Sequence, residues 1–599
     1  MKTLTFAKGS SFKGKTQFQS NGGIDLESSC NILGLLIKSC RKGEFSELTP
    51  DHIDAIERLQ SSIMSRSNTL EGPSMMGGQS DASFNSSASA HYNKPRRVSL
   101  SKRVDKSMRI MKSDLDESEE DEDLSNAYRD VFDQFGGSMV CNNDNIVEIF
   151  SGRSRKTITL RGGKARVSGN RLALMISSLQ DTGGRIERYS STITEMSEFS
   201  DDDDDDDDDS QYYPPEWQTL NTDAKAKLTK LLSWESISRW DFNIVAVAQL
   251  TRNPLLLVGW VILCDDPLAQ TERENGYHFY MKLNHLKICN FLREIESRYN
   301  HDVPYHNNIH AADVTQTLHC MFQMMGKDVL KRIYDPLTIF SALLAATFHD
   351  VGHPGTNNTF QENALTPLAI QYNDTSVLES MHSAVGNSLL FGESKRDEWD
   401  IMKDWVHSDK LHARKTMMSV VLSTDMYHHF THMEELDTLV EEVQVLANEE
   451  GGDEGTDQSI LSILAQNLNL DEDELGEDSS PPTKLEEECK KLAEMLLNFL
   501  LHASDISNPA KPQATSVYWA NRALLEFFEQ GDEEIKMKLP VSPLCDRTTV
   551  KKPESQIGFG KFVIAPAFEL LGDIIPQVQE EVLPIIDNNI EYWMSEKLR

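Results

Sequence analysis

An all-α fold is the expectation for the C-terminal two-thirds of this 599-residue chain. Three observations predict it. From about Tyr213 onward apolar residues recur at helical spacing, as in Val314, Leu318, Met321 and Met325. The stretches 337–348, 492–501 and 562–571 are apolar nearly all round, as central helices are. Strand-like alternation of apolar and polar residues is scarce.

Residues 1–212 differ in character. They are rich in Ser, Gly, Asn and runs of charge, the composition of a regulatory, mostly disordered extension. One island stands out. Ile32, Leu33, Leu36, Ile37 and Cys40, then Ile53, Ile56, Leu59 and Ile63 after Pro50, predict a helical hairpin over 26–65. Its expected partner is the C-terminal region or a second copy of itself in a homodimer; an isolated helix pair without a partner is the alternative. Residues 72–93 have linker composition. The nine consecutive aspartates at 201–209 cannot enter a core. A self-repelling solvated spacer is favoured over a calcium trap, because no turn chemistry organises a ligand loop there. Within 213–599, the stretch about 447–483 is acidic, contains Gly and ends in a Pro pair, and is expected to be a surface insertion or mobile loop.

The formal net charge of −36 argues against nucleic acid as a partner, since phosphate contacts need clustered Lys and Arg. An anionic substrate would need bound cations to reverse the local sign. Eight cysteines without a CxxC spacing indicate neither a thiolate zinc site nor a disulfide framework. Reduced, buried thiols in a cytoplasmic protein are expected. No N-terminal stretch reads as a secretory signal. The apolar runs 254–264 and 337–348 are too short to span a bilayer, so no transmembrane segment is expected.

Two apolar helices end in groups that buried helices avoid. The 337–348 run leads straight into His349 and Asp350, and the chain then breaks at Gly352, Pro354 and Gly355. The 492–501 run leads into His502 and Asp505, with a stop at Asn508-Pro509. Ionised carboxylates in low dielectric are costly unless paired or metal-bound, so these ends ask for a cation. Tyr305-His306-Asn307-Asn308-Ile309-His310 and His353 add further imidazoles. Imidazole with carboxylate suits zinc, manganese or iron; carboxylate with retained waters suits magnesium.

The segment His349-Asp350-Val-Gly-His353-Pro-Gly355-Thr-Asn-Asn358-Thr-Phe360 resembles the signature of the class I cyclic nucleotide phosphodiesterases. Similar matches follow in Tyr305–His310 with Asp313, in Tyr372–Glu379, in Thr424-Asp425-Met426, in His502–Pro509 and in Ser555-Gln556-Ile-Gly-Phe559. The resemblance covers roughly 240–591. It implies a compact domain of about sixteen helices that hydrolyses the 3′,5′-cyclic phosphodiester of cAMP or cGMP to the 5′-monophosphate and so terminates cyclic nucleotide signalling. By the same resemblance His310, His349, Asp350 and Asp505 would hold a tightly bound metal, usually Zn2+. Asp350 would bridge to a second, usually Mg2+ with Mn2+ an alternative, and a hydroxide between the ions would attack phosphorus. His353 and Glu379 would steady the surrounding waters, and His306 would protonate the leaving 3′-oxygen. The spacing of His306 and His310 by itself also admits two metal ligands on one helix face. A departing alkoxide needs a proton donor, which favours the split roles. Gln556 would read the purine edge, with Phe559 stacking on the base and Tyr305, Asn508 and Phe527 lining the pocket.

Departures accompany the match. The chain has Glu379-Ser380-Met381-His382 where the family commonly has Glu-Asn-His-His, and Ala523 where Leu or Ile usually faces the base. A smaller jaw implies looser base binding. Arg96-Arg97-Val98-Ser99-Leu100 looks like the recognition sequence of cyclic-nucleotide-dependent kinases, which makes Ser99 a candidate phosphosite and such a kinase a candidate partner. Two rival readings remain. One is a His-Asp metal phosphohydrolase acting on another phosphate, opposed by Gln556 and Phe559. The other is a catalytically impaired nucleotide-binding scaffold, opposed by His306 and the four ligands. The sequence does not divide cAMP from cGMP, although Asn508 leans toward cAMP.

Overall fold

The computed structural model describes residues 213–264, 283–392, 394–450, 458–468 and 482–599, together with two short strands upstream. Those strands, β1 (Ser138–Asn142) and β2 (Ile146–Phe150), pair antiparallel with Ser138 opposite Phe150. The low-complexity reading of 1–212 did not anticipate them; Ile146, Val147 and Ile149 are β-branched residues of the kind that favour strands. The 26–65 hairpin, Ser99, the aspartate run and the rest of the expected disordered extension lie outside the described residues.

From residue 213 on, every regular element among the described residues is helical, as the apolar spacing predicts. The first of the principal helices, α1 (Pro254–Leu263), is buried at every position, and proline at its start fits a place where no N–H donor is needed. Helix α2 (His285–Glu296) packs on α1 and caps it: the Glu296 carboxylate accepts from the Leu255 and Leu256 amides at 3.0 and 3.3 Å. Helix α3 (Asn308–Met325) also lies against α1. Its start is set by Asn307, whose side chain accepts from the amides of Ile309 and His310 and donates to the Val303 carbonyl. It ends at Gly326, where φ is 83°.

Helix α4 (Pro336–Ala346) is the innermost rod. Asp335 caps it and every residue after its proline is buried. Helices α5 (Asn358–Asn363), α6 (Val377–Phe391) and α7 (His407–Leu422) follow, with α7 packed along α4. Helix α8 (His429–Glu450) leads into α9 (Ile460–Asn467), which corrects the expectation for the acidic stretch 447–483. Ile460, Leu461, Ile463 and Leu464 are buried, so a helix docks within what composition marked as a surface insertion or mobile loop. The local apolar spacing outweighs the surrounding acidity, because burial is decided face by face and not by the mean of a window. Residues 451–457 and 469–481 of that stretch lie outside the described residues.

Helix α10 (Lys484–Asp505) opens with a capping box between Thr483 and Glu486 and packs on α8, α3 and α7. Helix α11 (Gln513–Met537) is followed by α12 (Lys552–Phe559), a π-helical turn at Gly560–Ile564, α13 (Ala565–Ile574) and α14 (Leu583–Lys597). No helix among the described residues is long and apolar enough to cross a membrane. The ends of α4 and α10 and the start of α3 meet in one place, and they carry the site.

Candidate active site

Each helix delivers its ligand at a terminus. His310 sits in the first turn of α3, His349 and Asp350 just past α4, and Asp505 is the last residue of α10. One ligand atom from each of these four lies within 4.8 Å of all the others. His310 Nε2 is 2.9 Å from Asp505 and 3.4 Å from Asp350; His349 Nε2 is 3.2 Å from Asp350 and 3.4 Å from Asp505. His349 Nε2 and Asp350 Oδ2 are buried without a hydrogen-bond partner, so the atoms converge on a common point and not on one another.

The ring orientation agrees with that geometry. His349 Nδ1–H donates to the Ala346 carbonyl at 2.9 Å, which turns Nε2 toward the cluster. His382 repeats the arrangement, donating from Nδ1 to the Val351 carbonyl at 2.8 Å and turning Nε2 toward Asp350 at 3.6 Å. Burial pushes the His349 imidazole down, and the Asp350 and Asp505 carboxylates more than offset it, holding it well above its usual range. Burial pushes Asp350 up; the imidazoles of His349 and His306 outweigh it and leave the carboxyl well below the usual range. Two imidazoles and two ionised carboxylates with orphaned atoms fit a divalent cation of the zinc or manganese type. Behind them, Asp313 accepts from Trp519 Nε1 at 2.9 Å and lies 3.7 Å from the fully buried Lys511 ammonium. The Trp519 ring meets those of His310 and Tyr305 edge-on. The wall that orients His310 is therefore tied to the core.

A second group stands beside the first. His306, His353 and Glu526 also gather within ligand distance. His306 Nδ1–H donates to Glu526 Oε1 at 2.5 Å, and Glu526 Oε2 accepts from the amides of Tyr305 and His306 at 2.8 and 3.0 Å. Burial pushes His306 down, yet the carboxylates of Glu526 and Asp350 raise it to about 9. Burial pushes Glu526 up, and His306 brings it to about 2. The result is an imidazolium with its Nε2–H free of Glu526. His353 stacks on it with ring centroids 4.0 Å apart. Burial and the His306 charge lower His353 to about 3, so it is neutral.

Glu379 accepts from Asn358 Nδ2 through both oxygens, at 3.2 and 2.9 Å. Burial and the nearby Asp425 raise it to about 8. Asp425 is anchored by the Ser376 hydroxyl at 2.7 Å, and Ser376 itself is held in the left-handed region at φ 40°. Asn508 Nδ2 donates to the Tyr305 hydroxyl. Phe527 on α11 and Gln556 and Phe559 on α12 are each half-buried, with both phenyl rings packed against the core.

The structure thus brings together the four expected ligands, His306 with His353, and Tyr305 with Asn508. Sequence reasoning missed Glu526 as the partner of His306. A signal existed: a carboxylate among Leu524, Leu525, Phe527 and Phe528 on a helix is costly to bury unless something pairs with it. Trp519 left no comparable mark.

Comparison with known proteins shows what the C-terminal region is similar to. Residues 305–585 match the family model described as 3′5′-cyclic nucleotide phosphodiesterase. The 3′,5′-cyclic-AMP phosphodiesterase 4C of Rattus norvegicus is 32% identical over 377 residues, covering 63% of this chain and 61% of the relative. The high affinity cAMP-specific and IBMX-insensitive 3′,5′-cyclic phosphodiesterase 8A of Homo sapiens is 30% identical over 361 residues, covering 60% of this chain and 39% of the relative. The chain therefore spans about three-fifths or less of the length of these relatives. Among solved structures, the phosphodiesterase domain of Salpingoeca rosetta rhodopsin phosphodiesterase aligns with a TM-score of 0.47 at 24% identity, covering 62% of this chain and 98% of that one.

Proposed function

We propose that this protein hydrolyses the 3′,5′-cyclic phosphodiester of a cyclic nucleotide to the nucleoside 5′-monophosphate. The observation that carries this is a cation-ready quartet lying directly beside a charged imidazole whose acidity is set by a buried carboxylate. Divalent cations held by His310, His349, Asp350 and Asp505, Zn2+ with Mg2+ or Mn2+ as the second, would neutralise the phosphate and acidify water.

The chain's own residues do the rest. His306 donates the Nε2 proton to the departing 3′-oxygen, and Glu526 fixes the ring and stabilises its charge beforehand. His353 covers the opposite ring face, and Glu379, held by Asn358, orders water around the cations. Gln556 and Phe559 take the base, with Tyr305, Asn508 and Phe527 around it. Relatives named for cAMP, together with Asn508, put cAMP ahead of cGMP as substrate. Action in the cytoplasm is part of the same proposal, as are regulation through Ser99 by a cyclic-nucleotide-dependent kinase and self-association through 26–65.

Hydrolysis of cAMP and cGMP by purified protein tests it, stripped with chelator and then reloaded with divalent cation. The expected outcome is turnover that chelation abolishes, reloading restores and Asp505→Ala removes. A reloaded protein that opens neither ring would overturn the proposal.

A further inference from the structure

Helix α11 presents Arg522, Glu526, Gln530 and Glu534 at four-residue intervals along one ridge. Together they reach three loops. Arg522 donates to the Pro304 carbonyl at 2.8 Å, and Glu526 holds Tyr305 and His306 as described. Glu534 accepts from the Ser542 amide and hydroxyl at 2.7 and 2.5 Å. Gln530, between the last two, is buried and uses both ends of its amide. Oε1 accepts from the Asn357 N–H at 2.8 Å, while Nε2 donates to Asn357 Oδ1 at 3.1 Å and to Glu534 at 2.9 Å. The orientation of the amide is settled by chemistry: a backbone N–H requires the oxygen on one side, and a carboxylate requires the nitrogen on the other.

Asn357 lies where two parts of the site meet. On its C-terminal side, Asn358 holds Glu379 through both carboxylate oxygens and accepts from the Leu378 amide at 2.9 Å. On its N-terminal side, Gly355 donates its N–H to His353 Nδ1 at 3.0 Å, fixing the ring that stacks on His306. Gly355 has φ 82°, and a β-carbon there would lie 3.3 Å from Val303, so the turn approaches its neighbours closely. Gln530 grips both the backbone and the side chain of Asn357 in this turn.

We propose that Gln530 is a positioning residue for hydrolysis. By clasping Asn357 it sets Glu379 against the cation side of the site and His353 against the proton donor at once. The assignment rests on the phosphodiesterase reading of the same site, and its experiment separates the two. Gln530→Met keeps the length of the side chain and removes both hydrogen bonds to Asn357, along with the one to Glu534. The expected result is a kcat lowered roughly 10–100-fold, as for other outer partners of a metal site, with KM little changed and bound metal retained. Hydrogen exchange at the Asn357 amide should accelerate, a readout independent of turnover. Ser542→Ala removes a neighbouring contact of the same ridge and should leave kcat and Asn357 exchange near wild type.

Full kcat in Gln530→Met, a loss matched by lost metal, or unchanged exchange at Asn357 would each overturn the proposal. If the Met variant does not fold, Gln530→Glu carries the test. Its carboxyl keeps an acceptor for the Asn357 amide and gains a donor only when protonated, so its rate relative to wild type should recover as pH falls. A ratio flat with pH overturns the assignment. A wild-type chain inert toward cyclic nucleotides would sink the phosphodiesterase reading and the catalytic half of this one, while exchange at Asn357 still reports the clasp.

Discussion

The contact between His306 and Glu526 decides what the proton donor does with pH. A histidine whose folded pKa is raised carries its proton through neutral pH and loses it as pH rises through that value, here about 9. Cations on Asp350 and Asp505 would cancel much of what those two carboxylates add, leaving Glu526 as the main support of the charge. Glu526→Gln should therefore move the alkaline limb of the kcat profile toward neutral pH and lower kcat above it. Turnover measured from pH 6 to 10 checks this; a limb that does not move would show that Glu526 does not set the acidity. Spacing alone leaves the roles of the two imidazoles open. His306 and His310 are four apart on the chain, yet one donates a hydrogen bond to a single carboxylate and the other faces two that would share a cation.

Helix α11 is the element that organises the loops, and it does so by lying very close to one of them. A β-carbon on Gly531 would come within 2.0 Å of the Cys545 carbonyl oxygen, a backbone atom with little room to retreat. Alanine is intrinsically better in a helix by about 1 kcal/mol. The overlap should outweigh that gain, so Gly531→Ala is expected to destabilise by about 1–3 kcal/mol, measured by denaturant titration. A variant as stable as wild type would mean that the loop yields freely. Other elements were readable in advance. The rods α4 and α10 announce themselves by apolar residues on all sides or at helical spacing and by polar ends. Helix α9 was hidden by its acidic flanks, although four apolar residues at helical spacing lie within it.

Over the whole molecule a cation bound at this site would work as a clip. It would join the ends of α4 and α10 to the start of α3, where two carboxylates, one buried and one partly buried, converge with two imidazoles. Binding to the folded state alone should stabilise it, by about 2.7 kcal/mol when free metal is 100-fold above its Kd. Denaturant melts of stripped and reloaded protein measure the difference. Equal midpoints would show that no cation binds where these ligands converge. The chain's net charge of −36 sharpens the need for such a clip, since an anionic substrate approaches a protein of its own sign.

By itself the sequence determined the helical class, the kinds of ligand and the helix ends on which they fall, because helical period, capping residues and the cost of a bare carboxylate are local properties. Only the tertiary structure decided which groups meet. Glu526 is 220 positions from His306 and Gln530 is 173 from Asn357, separations at which no spacing rule operates. Protonation follows the same division: an imidazole is acid, ligand or neutral wall according to the burial and charges that folding brings around it, and none of these is written in its neighbours along the chain.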